Sequence, residues 1–274
     1  MKRLPKFINI ISIALLLITL PAFAADSAAA LKNIINGDQR SADHKARDQY
    51  RHPLETLSFF GIKPDMTVVE VFPGRGWYTE ILAPLLKDQG TYYAAGTDPD
   101  SSSRYARQTA KRFKEKMESD KESYGKVNIT ILAPPDKTAI APPGSADMVL
   151  TFRNIHNWMN AGYADEVFAA MYKALKPGGI LGVVEHRGNP NIPQDPKARS
   201  GYVNQVYAIR LVEKAGFKFV ASSEVNANPD DSKDYPKGVW TLPPTLTLKN
   251  KDRDKYLSIG ESDRFTLKFM KPEN

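Results

Sequence analysis

The chain has 274 residues, which is long enough for one large α/β domain with a well-buried core and short for two. It carries 38 basic and 31 acidic residues, and removing the three basic residues of the first 24 positions leaves 35 against 31, a net charge of +4. Because these basic residues are scattered along the chain, we expect no nucleic-acid partner. The lack of cysteine excludes disulfides, thiolate catalysis and zinc–thiolate sites.

The first 24 residues have the three parts of a secretory signal peptide. Residues 1–6 are basic, residues 8–20 are almost wholly apolar, and residues 21–24 place small side chains where a signal peptidase cleaves. The apolar run is short for a bilayer span, which needs about 20 residues. We predict cleavage after Ala24 and a periplasmic or secreted protein with no stable membrane span. The alternative is an uncleaved anchor.

The segment that follows, residues 25–53, is predicted to be an N-terminal helical extension. Pro53 suits the first turn of a new helix, which would carry Leu57 and Phe60 toward a core. We place the start of the main domain at residue 54 and its end at residue 274.

Residues 66 onward alternate between Val-rich apolar runs and segments with helical spacing. This alternation predicts an α/β fold, namely a Rossmann-like, mostly parallel seven-stranded sheet with an antiparallel last strand and helices on both faces. The predicted strands are residues 66–72, 91–95, 127–132, 147–152, 180–185, 217–225 and 265–270, and the predicted helices are residues 78–86, 101–121, 164–175 and 202–215.

The connection between the last two strands, residues 226–263, is long and has no clear periodicity. Connections of this length inside a domain are usually functional or disordered. One interpretation is a lid, with Trp240 and Pro243-Pro244 closing on a pocket from one side and Arg51-His52 from the other. The other interpretation is a series of plain turns, because residues such as Asn226, Asn228, Asp230 and Asp231 favour turns anywhere.

A glycine-rich loop follows the first predicted strand, with Gly74 and Gly76 between the strand and the next helix. Glycine lets a ligand approach the main chain, and open α/β sheets bind ligands at this edge. A dinucleotide fingerprint would place a third glycine at position 79, where this chain has Thr79. The loop therefore suits an adenosyl ligand without a diphosphate, although a tight structural turn would use the same glycines.

Three segments together resemble class I S-adenosylmethionine (SAM)-dependent methyltransferases. Glu70-x-x-Pro73-Gly74-x-Gly76 resembles their first motif, residues 175–179 resemble the turn before their fifth strand, and residues 145–150 resemble their fourth-strand entry. Within this superfamily, residues 185–187, 223–229 and 260–264 look like an exported bacterial group of predicted methyltransferases. The resemblance covers about residues 54–271.

The resemblance implies SAM as cofactor and assigns it a set of residues. Glu70 would lie near the methionine amino group, and Gly74 and Gly76 under the adenosine. Asp98 would hold the ribose and Asp136 the adenine, although both also suit a solvated turn. The full predicted cofactor-binding set is Glu70, Pro73, Gly74, Gly76, Tyr78, Thr79, Asp98, Asp136, Arg153 and Asn154.

The predicted catalytic residues follow the fourth and fifth strands. His156 is a candidate general base and Asn157 a candidate for orienting the acceptor, while a histidine bonded to the backbone is the structural alternative. His186 is the second candidate base, with Glu185 beside it. Because adjacent strand residues point to opposite faces, only one of these two is expected to reach the site. The spacing of the two histidines and Glu185 matches no recognised metal motif, so we predict no metal.

The sequence therefore predicts a SAM-dependent methyltransferase acting on a small-molecule acceptor. The alternative is an exported adenosyl-ligand-binding or non-catalytic protein of the same fold, because SAM is made in the cytoplasm and an exported enzyme needs a supply. A nicotinamide (NAD) oxidoreductase is a third hypothesis, disfavoured by Thr79.

Overall fold

A seven-stranded sheet forms the centre of the protein in the computed structural model, which describes residues 22–273. Its strands are β1 (Thr67–Val71), β2 (Thr91–Gly96), β3 (Asn128–Ile131), β4 (Ala146–Phe152), β5 (Leu175–His186), β6 (Lys218–Ser223) and β7 (Arg264–Met270). Their spatial order is β3-β2-β1-β4-β5-β7-β6. Strands β1 to β5 pair in parallel, and β7 lies antiparallel between β5 and β6. The predicted fold class is confirmed.

Helices of the described residues cover both faces of this sheet. They are α1 (Ala22–Asn36), α2 (Ala42–Lys45), α3 (Asp48–Arg51), α4 (Pro53–Phe60), α5 (Thr79–Leu86), α6 (Arg104–Ser119), α7 (Lys121–Tyr124), α8 (Ile155–Ala161), α9 (Ala164–Ala174), α10 (Gln205–Lys214) and α11 (Arg253–Ile259), with a 3-10 helix at Gly238–Thr241. None of the helices within residues 22–273 is both long and apolar enough to cross a membrane.

Two apolar clusters, one on each face, hold the sheet in place. One includes Trp158 and Phe168 from α8 and α9 against alternate residues of β4, β5 and β7. The other includes Leu57 of α4 and Ile81 of α5 against Val68 of β1. Burial on both faces explains why the parallel strands read as continuous apolar runs in the sequence.

Several element boundaries differ from the prediction, among them the start of β5 and the end of α6. Strand β5 begins at Leu175, because a bulge follows its pairing with Ala146 and Gly178 keeps a hydrogen bond to Lys271. The glycine turn predicted before this strand is therefore part of it. The long charged helix ends at Ser119, because Asp120 leaves the helical conformation and caps α7.

The N-terminal extension lies against the main domain. Leu31 and Ile35 of α1 are buried, and α1 packs on α4 and α5. Residues 1–21 of the predicted signal peptide lie outside the described residues, and residues 22–24 form the first turn of α1.

Candidate functional site

The glycine loop, residues 72–78, joins β1 to α5 at the carboxyl edge of the sheet. Phe72, Gly74 and Gly76 have positive φ angles of 51°, 60° and 76°. A Cβ added at Gly74 would meet no atom within 4 Å, so the main chain there is open to a ligand. At Gly76 the aliphatic stem of Lys116 lies 3.1 Å from an added Cβ and covers that backbone. The loop therefore offers an open corner at Gly74.

Two of the predicted cofactor-binding residues, Glu70 and Thr79, lie in a buried network beneath this loop. Glu70 Oε2 accepts hydrogen bonds from the Tyr92 hydroxyl at 2.5 Å and the Thr79 hydroxyl at 3.0 Å. Burial raises the pKa of Glu70 to about 7, although both hydrogen bonds act in the opposite direction. The loop thus rests on a carboxyl group that gains or loses its proton near neutrality.

Tyr78 and Pro73 form the buried side of the loop. The Tyr78 ring stacks on Phe152 with centroids 3.5 Å apart, and Pro73 is buried. Burial raises the pKa of Tyr78 to about 12, so its hydroxyl keeps its proton. These side chains fix the shape of the loop from below.

The two acids predicted to hold ribose and adenine follow β2 and β3. Asp98 Oδ2 forms a salt bridge with Lys137 Nζ at 2.7 Å, and Asp98 Oδ1 accepts a hydrogen bond from the Asp100 amide. Asp136 lies exposed in the turn that the Ala133–Lys137 bridge closes. Asp98 is therefore tied to a cation, whereas the Asp136 side chain faces solvent.

The residues after β4 have three different surroundings. Arg153 has φ of 62°, a left-handed conformation that is uncommon outside glycine and concentrates at functional sites. The Asn154 amide donates to the Val71 carbonyl and the Thr151 hydroxyl, both at 3.1 Å, and so ties this loop to β1. Asn157 is exposed on α8.

A carboxylate holds both predicted catalytic histidines. His156 Nδ1 lies 3.0 Å from Glu185 Oε1, and the His186 amide donates to the same oxygen at 2.8 Å. The two rings are 5.4 Å apart between centroids, and His186 Nδ1 lies 2.5 Å from the Ser262 hydroxyl. Glu185 and His186 are adjacent in the strand, yet both lie beside His156, because His186 is the last residue of β5 and the Glu185 side chain folds back to the His186 amide.

His156, Glu185 and His186 also form a group of potential metal ligands, with one ligand atom from each within 4.8 Å of the others. The Glu185 carboxylate already accepts hydrogen bonds from both histidines. Burial first, and then the charges of His156, Arg153 and neighbouring arginines, lower the pKa of His186 well below its usual range. The same positive field opposes the charge of a divalent cation at these three ligands.

An arginine cluster (Arg47, Arg51, Arg153 and Arg264) surrounds Glu261. The Glu261 carboxylate lies 2.5 Å from Arg47 Nε, 3.4 Å from Arg51 Nε and 3.1 Å from Arg264 Nη1. Burial raises the pKa of Glu261, but the charges of Arg264 and Arg51 outweigh this effect and hold the value at about 2. The cluster joins the N-terminal extension to the start of β7.

Trp240 of the long connection 226–263 lies against His156, and Tyr202, which precedes the connection, lies near His186. The Trp240 ring meets His156 edge-on, with centroids 6.0 Å apart, and the Tyr202 ring lies 6.4 Å from His186. The Tyr202 hydroxyl lies 3.0 Å from both carboxylate oxygens of Asp231. The placement of Trp240 agrees with the lid interpretation.

Sequence reasoning missed several residues of this site, among them Tyr202, Ser262 and Arg47. The similarity of residues 260–264 to the exported group assigns them no role. No local pattern marks these residues, because each reaches the site through a contact with a residue far away in the sequence. Arg47 and Glu261, for example, are 214 residues apart.

No family model matches the sequence, and no curated protein matches it. Among solved structures, a SAM-dependent methyltransferase from Aquifex aeolicus matches with a TM-score of 0.54 and 16% identity over 89% of this chain and 98% of that chain. The [4+2]-cyclase SpnF matches with a TM-score of 0.55 and 14% identity over 91% of this chain and 94% of that chain.

A third similar structure is phosphoethanolamine N-methyltransferase 2 from Haemonchus contortus in complex with S-adenosyl-L-methionine. Its TM-score is 0.52 at 15% identity, over 93% of this chain and 61% of that chain. Identities this low show a common fold, and the cyclase illustrates that this fold carries more than one chemistry. The chain therefore has the Rossmann-like fold of SAM-dependent methyltransferases.

Proposed function

We propose that this protein is a SAM-dependent methyltransferase that acts on a small-molecule acceptor. The observation that carries the proposal is the open main-chain corner at Gly74, at the same edge of the sheet as the His156–Glu185 pair. Open α/β sheets bind ligands at this edge. A solved structure of the same fold contains SAM, which supports the assignment.

The residues of the edge fit an adenosyl group. The Gly74 backbone would lie under the adenosine, and Asp98 and Asp136 are the acids available for ribose and adenine. Asp98 would keep its bond to Lys137 and use its remaining lone pairs for the ribose hydroxyls. When bound, SAM supplies a methyl group activated by a sulfonium.

The His156–Glu185 pair supplies a base. An ionised carboxylate accepts hydrogen bonds and cannot donate them, so Glu185 fixes the proton of His156 on Nδ1 and leaves a lone pair on Nε2. His156 Nε2 can take the proton that an acceptor loses as it is methylated. Glu185 acts through His156 and is therefore a positioning residue.

The surroundings of His156 favour a small acceptor. His156 is 6% exposed, and Trp240 covers it from the long connection. Trp240 also lines a groove together with Arg199, Tyr235 and Lys237. We infer that the acceptor passes Trp240 to reach the base, which a folded macromolecule could not do without moving the connection.

The NAD hypothesis has less support from the loop. A third glycine would bring helix and strand close over a pyrophosphate. Here position 79 is a threonine whose hydroxyl bonds Glu70 and Tyr92. The loop is built around that network and not around a diphosphate.

Calorimetry of the protein lacking residues 1–24 tests the cofactor assignment with SAM, S-adenosylhomocysteine and NAD. We expect the first two to bind and NAD not to bind. Gly74→Val should weaken S-adenosylhomocysteine binding at least about tenfold, because valine cannot adopt φ of 60° without strain and would fill the open corner. His156→Ala should leave that affinity unchanged.

Gly144→Val is a matched control for this experiment. Gly144 has φ of 63°, and an added Cβ there also meets no atom within 4 Å, but it precedes β4 at the opposite edge of the sheet. The control should suffer the same backbone strain and keep its affinity. Equal affinities of the two variants, or binding of NAD without SAM, would refute the assignment.

We also propose export, with cleavage after Ala24 and function in the periplasm or outside the cell. The support is the charge and apolar pattern of residues 1–24 and the lack of cysteine. Membership of the exported bacterial group stays a prediction from sequence. Mass spectrometry of the protein from a periplasmic fraction should find Ala25 at the N-terminus, and a cytoplasmic protein that keeps Met1 would contradict the proposal.

A further inference from the structure

The arginine cluster has more positive charge than its surroundings balance. It contains four guanidinium groups around the Glu261 carboxylate, which stays ionised because its pKa is about 2. The carboxyl groups beside the histidines and beneath the glycine loop include Glu185 and Glu70. Glu185 is engaged by His156 and His186, and Glu70 has its pKa raised to about 7. Within the cluster itself, four guanidiniums face one carboxylate, which leaves an excess of positive charge.

Some of the hydrogen-bond donors of the cluster have no acceptor in the protein. Arg47 Nη2 is buried without a partner among the described residues. None of the salt bridges found within residues 22–273 uses the Arg153 guanidinium, in contrast to those of Arg47, Arg51 and Arg264. Burial lowers the pKa of Arg153 to about 10, but the group remains a cation at neutral pH. A buried donor such as Arg47 Nη2 is costly unless an acceptor meets it, whereas Arg153 is only partly buried, so an anion can reach its guanidinium.

Arg153 is the member of the cluster that adjoins the proposed reaction site. It directly follows β4, and its amide is bonded to Val184 of β5, two residues before His186. Its left-handed backbone departs from the extended path of β4. Burial, then the charge of His156 and then the charge of Arg153 lower the pKa of His186, and β4 and β5 end side by side at the carboxyl edge of the sheet.

We propose that the arginine cluster binds an anionic group of the methyl acceptor, a carboxylate or a phosphate, and that Arg153 is its principal ligand. This inference rests on the proposed function. Guanidinium groups recognise both anions through paired N–H donors. The acceptor would thus be held by its charged end at the cluster, with its reacting atom near His156.

The charge of the cofactor argues that the anion belongs to the acceptor. SAM carries a sulfonium, an ammonium and one carboxylate, so it is a net cation at neutral pH. Its own carboxylate would leave the excess charge of the cluster uncompensated and add a sulfonium to the same field. An anionic acceptor balances both the excess charge of the cluster and the charge of the sulfonium. We therefore expect the acceptor anion and the cofactor to bind together.

Calorimetric titration of inorganic phosphate, and separately of acetate, into the protein lacking residues 1–24 tests the proposal. We expect at least one anion to bind, with equal or higher affinity when S-adenosylhomocysteine is present. Arg153→Gln should weaken that binding at least about tenfold, and by a larger factor than it weakens S-adenosylhomocysteine binding. The matched control is Arg210→Gln, an exposed arginine of α10 that removes the same charge from the molecule.

The outcomes separate this inference from the proposed function. If the wild-type protein does not bind S-adenosylhomocysteine, the proposed function is refuted, whether or not the anions bind. Binding of S-adenosylhomocysteine without either anion, or equal anion binding by the Arg153→Gln and Arg210→Gln variants, would overturn the inference alone. Competition between the anion and S-adenosylhomocysteine would also overturn it, because the cluster would then hold the cofactor's carboxylate.

A second substitution covers the case in which Arg153→Gln does not fold. Arg153→Lys keeps the charge but not the paired donors, so it should fold and bind the anion several-fold more weakly than the wild type. Thermal melting with phosphate and with chloride at equal ionic strength checks the wild-type protein without any substitution. An identical Tm in the two salts would count against the site.

Discussion

Glu70 shows how a residue of the glycine loop can serve the fold and the site together. The family resemblance assigns it to the methionine end of the cofactor. In the structure its carboxyl group is buried beneath the loop and accepts hydrogen bonds from Tyr92 and Thr79. Burial raises its pKa to about 7 from the unperturbed 4.5. Its protonation therefore links the stability of the loop to pH.

The pH dependence of unfolding should report this group. Because the folded-state pKa lies above the unfolded value of 4.5, the folded protein holds the proton more tightly. This stabilisation is complete below about pH 4.5 and is lost as the pH rises through about 7, a change on the order of 3 kcal/mol. Glu70→Gln, which is always neutral, should lose that part of the pH dependence.

Urea unfolding at about pH 5 and pH 8 measures the effect. The matched control is Glu55→Gln, an exposed glutamate of α4, which should keep the wild-type difference between the two pH values. A Glu70→Gln variant with the same pH dependence as the wild-type protein would show that Glu70 titrates normally.

At the scale of elements, the long connection 226–263 is fastened to the rim of the sheet by buried polar contacts. Asp231 is buried and accepts hydrogen bonds from the Tyr202 hydroxyl and from the amides of Lys233 and Asp263. Asn226 donates to the hydroxyls of Thr56 and Thr266. Buried hydrogen bonds therefore fix the connection near both of its ends, at Asn226 and Asp231 and at Asp263. The segment around Trp240 lies between these fixed points.

Asp231→Ala should destabilise the protein by about 3 kcal/mol, because it leaves buried donors without an acceptor. The exposed neighbour Asp230→Ala is the control and should change the free energy of unfolding by less than about 0.5 kcal/mol. Urea unfolding gives both values, and hydrogen exchange at the amides of Lys233 and Asp263 should speed up in the first variant. Slow exchange retained at both amides would mean that Asp231 does not hold the connection.

At the scale of the whole molecule, Glu261 joins the two ends of the described chain. It bonds Arg47 and Arg51, which lie 214 and 210 residues earlier, and Arg264 at the start of β7. The N-terminal extension is thereby held against the carboxyl edge of the sheet. The same contact completes the arginine cluster, so docking of the extension and formation of the anion site depend on each other.

Glu261→Gln should destabilise the protein by about 3–5 kcal/mol at neutral pH, because it removes the counter-charge of buried guanidiniums. The folded-state pKa of about 2 lies below the unperturbed 4.5, so this stabilisation is complete above about pH 4.5 and is lost as the pH falls through 2. Thermal melting at neutral pH measures the loss. The control Glu224→Gln breaks an exposed pair with Arg187 and should cost less than about 1 kcal/mol, and equal losses in the two variants would contradict the prediction.

The sequence determined the sheet and the loop. Strand β1 lies within one residue at each end of the predicted 66–72, because a strand buried on both faces needs a continuous apolar run that is visible locally. Gly74 was identifiable for a similar reason. A turn that needs a left-handed backbone between strand and helix favours glycine, and a glycine is visible in the sequence.

Tertiary structure alone decided which polar side chains share the site. The arginine cluster, the Ser262–His186 contact and the Tyr202–Asp231 contact join residues far apart along the chain, and no local periodicity encodes such pairings. The hydrogen bond between the Glu185 carboxylate and the His186 amide also depends on where β5 ends. The pairing of β5 with β7 sets that boundary. Short-range patterns specify elements, whereas charge and hydrogen-bond partners are settled when the sheet order brings distant segments to one edge.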